Sequence, residues 1–216
     1  RICFGLAVHS AYSASAEVYR KALEMAAQYK VPLNTHVAET RWEFDLMLKK
    51  HGKTPVGYLN HIGALAPGVV AAHAVHLTDD DMEILAENGV GVAHNPQCNM
   101  KLANGVAPIP QLLSLGIAVG IGTDGVASNN DLDMFDEMRS SALSHKLNSG
   151  DPTTMNAREV FYAATAGGAR LLGMEKLTGS IEIGKQADLV LVNTRQPHAF
   201  PWYNIYSQIV YSLKST

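Results

Sequence analysis

The sequence has 216 residues, of which 47% are hydrophobic and 17% charged, and its formal net charge at pH 7 is −3. This balance is typical of a globular domain and lacks the basic excess of nucleic-acid-binding proteins. No apolar run approaches the roughly 18 residues that a membrane-spanning helix needs. From the charge balance and the short apolar runs we expect neither a nucleic-acid nor a membrane partner. The two cysteines, Cys3 and Cys98, form no CxxC motif, so we expect a reducing cytoplasm.

Strand-like apolar runs alternate with helical patterns along most of the chain. Helix N-caps are predicted at Ser15, Thr40, Thr78 and Asn156, and the residues from 95 to 107 are predicted as a loop. In the first helix, Val18, Ala22, Met25 and Tyr29 form an apolar stripe. The predicted strands cover 2–8, 31–35, 69–72, 90–93 and 117–123, and the predicted helices cover 16–29, 40–52, 55–61, 79–88, 108–115, 132–147 and 156–172.

Five strand–helix alternations in series predict an α/β fold with a parallel sheet. The pattern changes at Leu177, because 179–193 is typical of a glycine-punctuated β-hairpin. We therefore assign 1–176 to the α/β part and 177–216 to the start of a second, all-β element. The chain begins inside an apolar run without a methionine and stops after a segment rich in Tyr, Ile and Val, so we expect it to be part of a longer protein.

A polar side chain stands at the end of each of the five predicted strands. The carboxyl ends of parallel strands lie on one face of a sheet, where barrel active sites are built. Imidazole and carboxylate groups converging there predict a metal or acid–base site, with zinc or iron as the ion. The alternative is a structural role for each residue, such as a cap or turn at Asp124. The five are His9, His36, His73, His94 and Asp124, separated by 27, 37, 21 and 30 positions.

Glu39 follows the candidate ligand His36 by three residues. A carboxylate there is suited to move protons without binding the metal itself. The alternative is a helix-start carboxylate that interacts with the helix dipole. Cys98 is predicted near the site without activation as a nucleophile, and His145 is given only a structural role near a helix end.

Four motifs together resemble those of the amidohydrolase superfamily. The resemblance is closest to the 5-methylthioadenosine/S-adenosylhomocysteine deaminases and the related triazine-type chlorohydrolases, and it covers nearly the whole chain. A fifth segment, Gly-Ser-Ile-Glu-Ile-Gly-Lys-Gln-Ala-Asp-Leu-Val at 179–190, resembles the passage from that family's barrel to its small β-sandwich. The four motifs are Thr-His-Val-Ala-Glu-Thr at 35–40, Ala-His-Ala-Val-His-Leu at 72–77, His-Asn-Pro-Gln-Cys-Asn-Met-Lys-Leu at 94–102 and Gly-Thr-Asp-Gly-Val-Ala-Ser-Asn-Asn at 122–130.

The resemblance implies a (β/α)8 TIM-type barrel, of which this chain holds about strands four to eight. It also implies a role for each residue at a strand end. His36 and Asp124 would be metal ligands of the fifth and eighth strands. Glu39 would be a proton shuttle that also touches the substrate, and His73 would steady the attacking water. His9 and His94 would contact the substrate.

One family feature is missing, because no His-x-His pair occurs in this sequence. In the family that pair lies on the first barrel strand and supplies two further metal ligands. Three protein ligands are usual for a catalytic zinc, and the resemblance gives this chain two. We therefore expect a natural protein about twice this length, and we expect this chain alone to be inactive.

The implied function is deamination of an adenosine-type purine nucleoside, such as 5-methylthioadenosine or S-adenosylhomocysteine. A divalent metal, most simply zinc, would activate water as hydroxide for attack at C6 with release of ammonia. Two alternatives within the superfamily are a triazine-type chlorohydrolase and a guanine deaminase. An alternative from another class is an inactive barrel scaffold. Assembly into a homo-oligomer stays open.

Overall fold

The computed structural model describes residues 3–215, and its centre is a sheet of five parallel strands that neighbour one another in chain order. Parallel neighbours require crossover connections, and each connection here contains at least one helix. Arg1, Thr216 and Ile2, where the first strand was predicted to begin, lie outside the described residues. The strands are β1 (Leu6–Ser10), β2 (Leu33–Val37), β3 (Val69–His73), β4 (Gly91–His94) and β5 (Val119–Ile121).

The helices lie between the strands and after the last one. This confirms the predicted α/β fold, and the arrangement is that of consecutive strand–helix units of a TIM-type barrel. The helices are α1 (Ala16–Tyr29), α2 (Arg41–His51), α3 (Pro55–His61), α4 (Asp79–Glu87), α5 (Pro96–Lys101), α6 (Ile109–Ser114), α7 (Val126–Asn129), α8 (Met134–Ser149), α9 (Ala157–Tyr162), α10 (Gly168–Leu171) and α11 (Ile205–Ser207), with π-helical turns at Ala163–Gly167 and Gln208–Ser212 and a 3-10 turn at Pro197–Ala199.

All four predicted N-caps are confirmed by hydrogen bonds. The side chains of Ser15 and Thr40 accept the backbone N–H of the third helical residue, at 3.4 and 3.0 Å. Thr78 and Asn156 form complete capping boxes. Each cap satisfies N–H groups that a helix start leaves without partners, which typically stabilises a helix by about 1 kcal/mol. These capping residues explain why the helix starts can be predicted from the sequence.

The hydrophobic core lies between the sheet and the helices that cover it. Val37 and Val92 point from the strands into this layer and are fully buried. Met47, Leu59 and Leu112 meet them from α2, α3 and α6 and are equally buried. Side chains alternate across a strand, so His36, next to Val37, belongs to the opposite face of the sheet.

A tight backbone contact joins the end of the chain's helical part to the sheet. A Cβ atom on Gly167 would stand 2.8 Å from the carbonyl oxygen of Val119 in β5. A Cβ on Gly120 would stand 3.0 Å from the Cα of Gly168. The absence of side chains at these positions lets the π-helical turn and α10 lie directly on β5. Gly167 and Gly120 therefore serve close packing between the last predicted helix and the sheet.

The apolar stripe predicted for α1 is wrong. Val18 and Tyr29 are about half exposed, whereas Tyr19 and Ala26 are buried. The buried face is set by Tyr19, whose hydroxyl hydrogen-bonds to the Thr35 hydroxyl at 2.7 Å. A buried phenol needs such a partner, and Thr35 on β2 supplies it. The face that meets the sheet is therefore rotated by about one residue from the predicted stripe.

Two other local predictions are wrong. The predicted loop 95–107 contains the helix α5, which Pro96 begins at a position that favours proline. The predicted hairpin at 179–193 forms no strands, and Ile183 and Leu191 are fully exposed. A hairpin needs an apolar surface to cover one of its faces, and none of the described residues provides one there. The predicted boundary at residue 177 stays a prediction.

Within residues 3–215, no helix is both long and apolar enough to cross a membrane.

Adjacent glycines give a matched test of the contact with β5. Both Gly167 and Gly168 have helical backbone angles, so alanine is conformationally acceptable at each. Gly167→Ala is expected to lower the free energy of unfolding by about 1–3 kcal/mol, since its methyl group overlaps backbone oxygen. Gly168→Ala meets its nearest atom at 3.5 Å and is expected to be neutral or to stabilise by up to about 1 kcal/mol. Urea unfolding of both variants measures the difference, and equal effects would contradict the proposed contact.

Candidate metal centre

Three histidines line the rim formed by the carboxyl ends of neighbouring strands. The ring centroids of His9 and His36 are 5.1 Å apart, and those of His36 and His73 are 5.5 Å apart. Asp124, just beyond β5, joins them. One ligand atom from each of His36, His73 and Asp124 lies within 4.8 Å of the other two. The sheet therefore brings together residues that are up to 88 positions apart in the chain.

The backbone is strained at two of these positions. His73 has a φ angle of 73° and Asp124 one of 58°, both in the left-handed region. Side chains other than glycine rarely adopt that region, although His, Asp and Asn do so more often than most. Strain of this kind clusters at functional sites, where the surrounding structure enforces it. The sequence predicted both residues from their side-chain chemistry, and their positive φ angles are an independent sign of a functional site.

Hydrogen bonds set the tautomers of the two clustered histidines. Nδ1 of His36 lies 2.6 Å from the carbonyl oxygen of His9, and Nδ1 of His73 lies 2.9 Å from Oδ1 of Asn99. Both partners are oxygens that only accept, so each Nδ1 carries the proton and donates it. Each Nε2 therefore keeps a lone pair. Histidines that bind metals are oriented by this type of bond.

The donor set fits a divalent metal ion. His73 is fully buried, and its Nε2 atom has no hydrogen-bond partner among the described residues. A buried polar atom without a partner is costly, and a metal ion at the cluster would satisfy it. Two imidazole nitrogens and one carboxylate oxygen are donors that zinc accepts. The structure thus places His73 beside His36 and Asp124, the two ligands that the family resemblance implied.

Asp124 is held as a carboxylate by its neighbours. Burial acts to raise the pKa of Asp124, but hydrogen bonds from Cys98, Ser128 and the N–H of Gly125 outweigh it, so the pKa is lowered overall. The Cys98 thiol donates to Oδ2 at 3.0 Å and the Ser128 hydroxyl to the same atom at 2.5 Å. Because burial raises the pKa of Cys98 to about 12, it stays a thiol donor, in agreement with its predicted lack of activation.

Glu39 lies beside the cluster, between β2 and α2. Its Oε1 accepts a hydrogen bond from the Asn104 amide at 3.0 Å, and its Oε2 lies 3.8 Å from Nε2 of His73. Its backbone N–H donates to the buried carboxylate of Glu43 at 2.8 Å. The side chain is thus engaged by a residue 65 positions away rather than by the start of α2. The proton-shuttle role of Glu39 stays a prediction.

His9 and His94 were both predicted to contact a substrate, and they have different surroundings. His9 is exposed on the rim, and its Nδ1 bonds to the Ser13 hydroxyl at 2.7 Å. His94 is buried on the helix side of the sheet, and its Nε2 lies 3.2 Å from Nε2 of His145 in α8. His145, predicted to have only a structural role near a helix end, lies near the carboxyl end of α8 and is buried. Substrate contact stays a prediction for His9 and His94, and the structure brings only His9 to the cluster.

Burial keeps the paired histidines uncharged. It lowers the pKa of His94 well below its usual value, and the neighbouring rings of His145 and His73 add to the effect. Burial and the nearby Lys146 lower the pKa of His145 to about 4. The pair is therefore neutral at physiological pH, with a single proton between the two Nε2 atoms.

Four residues that support the site were given no role by the sequence analysis. Asn99 and Ser128 stand in the quoted motifs but were given no role, and Asn104 stands outside them. Glu137 of α8 is fully buried and accepts hydrogen bonds from the Gln97 N–H and from the Asn129 amide. It ties α5 to α7, and these helices carry the two side-chain donors to Asp124, Cys98 and Ser128. Glu137 lies in the first turn of α8, where acidic residues are common, so the sequence gives no signal of this role.

Comparison with known proteins gives the family of a chain with this partial barrel and this cluster on its rim. The model of the amidohydrolase family matches residues 1–216. The chain therefore belongs to the amidohydrolase family.

Two similar proteins are named as deaminases. The chain is 46% identical over 212 residues to 5-methylthioadenosine/S-adenosylhomocysteine deaminase of Desulforudis audaxviator, covering 98% of this chain and 49% of that protein. It is 47% identical over 212 residues to 5′-deoxyadenosine deaminase of Methanothermobacter thermautotrophicus, with the same coverage of 98% and 49%. The chain thus spans about half the length of the relatives it matches.

Solved structures share the fold. An adenosine deaminase from Xanthomonas campestris with bound zinc superimposes with a TM-score of 0.93 at 37% identity, over 97% of this chain and 48% of that one. Atrazine chlorohydrolase from Arthrobacter aurescens, also complexed with zinc, gives a TM-score of 0.86 at 29% identity, over 92% and 44%. These matches support the partial barrel and the expectation of a divalent metal.

The buried histidine pair predicts a loss of stability in acid. The unfolded chain binds a proton at the ordinary pKa of 6.5, whereas folded His145 binds one only near 4. Between these values the unfolded state holds more protons, so stability falls as the pH falls from 6.5 towards 4. From pH 7.5 to 5.0 we expect His145 alone to contribute a loss of about 2 kcal/mol.

Urea unfolding at both pH values measures this loss. His145→Gln should reduce the pH dependence, and the exposed control His61→Gln should leave it unchanged. An equal pH dependence in all three proteins would contradict the assignment.

Ser128 is predicted to support metal binding through Asp124. Ser128→Ala removes one of the two side-chain donors to Oδ2, so we expect zinc affinity to fall by about 10–100-fold, as for other residues that orient metal ligands. Ser114→Ala, a change on the exposed end of α6, is the control. Competition with a chromophoric chelator gives both affinities. Unchanged zinc affinity in Ser128→Ala would show that the Ser128 bond does not orient Asp124 for a metal.

Proposed function

We propose that this chain carries a large part of the active site of a hydrolytic deaminase for adenosine-type purine nucleosides, including 5-methylthioadenosine and S-adenosylhomocysteine. The observation that carries the proposal is the position of Glu39 beside the cluster of His36, His73 and Asp124. The names of the relatives above support the adenosine-type substrate.

His36 and Asp124 are proposed to hold one divalent ion, most simply zinc, and His73 is poised at the same cluster. When bound, such an ion supplies a water molecule whose pKa is lowered towards ~7. Nε2 of His73 would orient this water, because it presents a lone pair and has no competing partner among the described residues. Asp124, whose carboxylate is held ionised by Cys98 and Ser128, would be the group that takes up a proton.

Glu39 is proposed to carry protons during deamination at C6 of the purine. The Asn104 amide donates a hydrogen bond to Oε1 of Glu39. The other oxygen of Glu39, Oε2, faces His73 and is therefore the one proposed to exchange protons. Glu39 would take one proton from the attacking water and deliver it to the ring nitrogen next to C6. The second proton of that water, taken up by Asp124, would pass through Glu39 to the departing amine. The products are the 6-oxo purine and ammonia. His9, exposed on the rim, contacts the substrate, whereas the same role for His94 requires its ring to leave the pair with His145.

A chlorohydrolase or a guanine deaminase would use the same residues, because the fold and the metal do not fix the substrate. Sequence similarity favours adenosine-type deamination, since identity is 46–47% to the nucleoside deaminases and 29% to atrazine chlorohydrolase. The substrate test uses the longest natural protein that contains these 216 residues. Ammonia release is measured with 5-methylthioadenosine, S-adenosylhomocysteine, 5′-deoxyadenosine, guanine and a chlorotriazine, with chloride release as a second readout for the last. Turnover of guanine or the chlorotriazine alone would contradict the proposal.

The role of Glu39 is tested in the same protein. Glu39→Gln is expected to keep its metal and to lower kcat by about 10²–10⁴-fold, the usual contribution of a general acid–base. Glu83→Gln, on the exposed face of α4, is the matched control and should keep full activity. Metal content and kcat are measured for both. Wild-type turnover in Glu39→Gln would rule out the shuttle, and absence of metal and activity in every variant would favour an inactive scaffold.

A further inference from the structure

A second group of metal-competent side chains overlaps the first. One ligand atom from each of Glu39, His73 and Cys98 lies within 4.8 Å of the other two. This group shares His73 with the cluster described above but replaces His36 and Asp124 with a carboxylate and a thiol. Its composition is therefore softer, because sulfur ligands favour thiophilic ions such as Zn²⁺ and its heavier relatives.

His73 provides evidence for a ligand that does not depend on the thiol. Its Nε2 is fully buried, carries a lone pair and has no hydrogen-bond partner among the described residues. The 3.8 Å to Oε2 of Glu39 is too long for a hydrogen bond. Two atoms that each lie about 2.0–2.3 Å from one ion are at most about 4.6 Å apart. A single cation can therefore bind both Nε2 of His73 and Oε2 of Glu39, which are 3.8 Å apart.

Cys98 approaches the same space from α5. Its side chain is buried, and its Sγ is 3.0 Å from Oδ2 of Asp124. Two carboxylates, Glu39 and Asp124, thus stand near the sulfur, and they favour a cation there. Binding would replace the S–H bond with a bond from sulfur to the ion and release the proton to solvent. Asp124 would keep its hydrogen bond from Ser128.

We propose that Glu39, His73 and Cys98 form a second cation site, specific for thiophilic divalent ions. An ion held there withdraws Glu39 and His73 from the chemistry proposed above and so inhibits the enzyme. That consequence depends on the proposed function, whereas the existence of the site does not. Excess Zn²⁺ and Cd²⁺ are the ions that the donor set fits.

Cadmium is the probe, because a bond from Cd²⁺ to a thiolate gives a near-ultraviolet charge-transfer band that needs no catalytic activity. Titration of the protein with Cd²⁺ is expected to give this band. Cys98→Ser should abolish it, since serine keeps a hydrogen-bond donor to Asp124 but supplies no sulfur. Cys3→Ser removes the other, exposed cysteine and should leave the band unchanged.

Variants of the carboxylates distinguish the proposed site from the alternative in which Asp124 is the partner of Cys98. Glu39→Gln is expected to weaken Cd²⁺ binding at least tenfold, and circular dichroism shows whether each variant is folded. A charge-transfer band that disappears in Cys3→Ser would overturn the proposal. So would an affinity for Cd²⁺ that is unchanged in Glu39→Gln together with a band that is lost in Asp124→Asn. Absence of turnover in the nucleoside assays would instead overturn the proposed function. The conclusion from the Cd²⁺ titration about the second cation site would still hold.

Discussion

Parallel pairing of five consecutive strands is the constraint on which the site depends. Each strand runs in the same direction as its neighbours, so every carboxyl end reaches the same rim, and each crossover helix returns the chain to the opposite end. His36, His73 and Asp124 come from β2, β3 and the end of β5. Nothing local in the chain places them together. A shift in register between β2 and β3 would move His36 away from His73, so the geometry of the cluster is a property of the whole sheet.

Around the cluster, the chain uses side-chain and backbone hydrogen bonds to fix what each functional group presents. The carbonyl of His9 and the amide oxygen of Asn99 direct the two imidazoles, while Cys98 and Ser128 hold one oxygen of Asp124. These partners are themselves anchored, because Glu137 ties together the two short helices that carry Cys98 and Ser128. A site held in this way presents its lone pairs before any ligand arrives, which is the condition for electrostatic preorganisation.

Sequence patterns were informative where the physical cause was local. Helix starts followed from Ser15, Thr40, Thr78 and Asn156, because a cap needs only its own side chain and the N–H groups that follow it. The strands and their polar end residues followed from short apolar runs. A metal or acid–base site and a proton-moving role for Glu39 also followed from the residues, whereas the separate roles of the other residues came from resemblance to the family.

Other features depended on contacts that the sequence does not display. The buried face of α1 follows from the bond between Tyr19 and Thr35, and periodicity alone selected the wrong face. Asn104 reaches Glu39 across 65 positions, and His145 meets His94 across 51. The strands expected at 179–193 require an apolar surface to pack on, which residues 3–215 do not supply there. In each case the deciding partner is distant in the chain.

The pair formed by His94 and His145 also limits how this sequence can change. The two Nε2 atoms face each other at 3.2 Å, so one ring must donate and the other accept, and the two hold complementary tautomers. Replacing either ring with an apolar side chain leaves a buried nitrogen without a partner, which typically costs about 1–3 kcal/mol. Replacing both with apolar side chains of similar shape removes that cost. Positions 94 and 145 are therefore expected to change together during evolution. A chain with only one of the two histidines replaced is expected to be less stable than a chain with neither or both replaced.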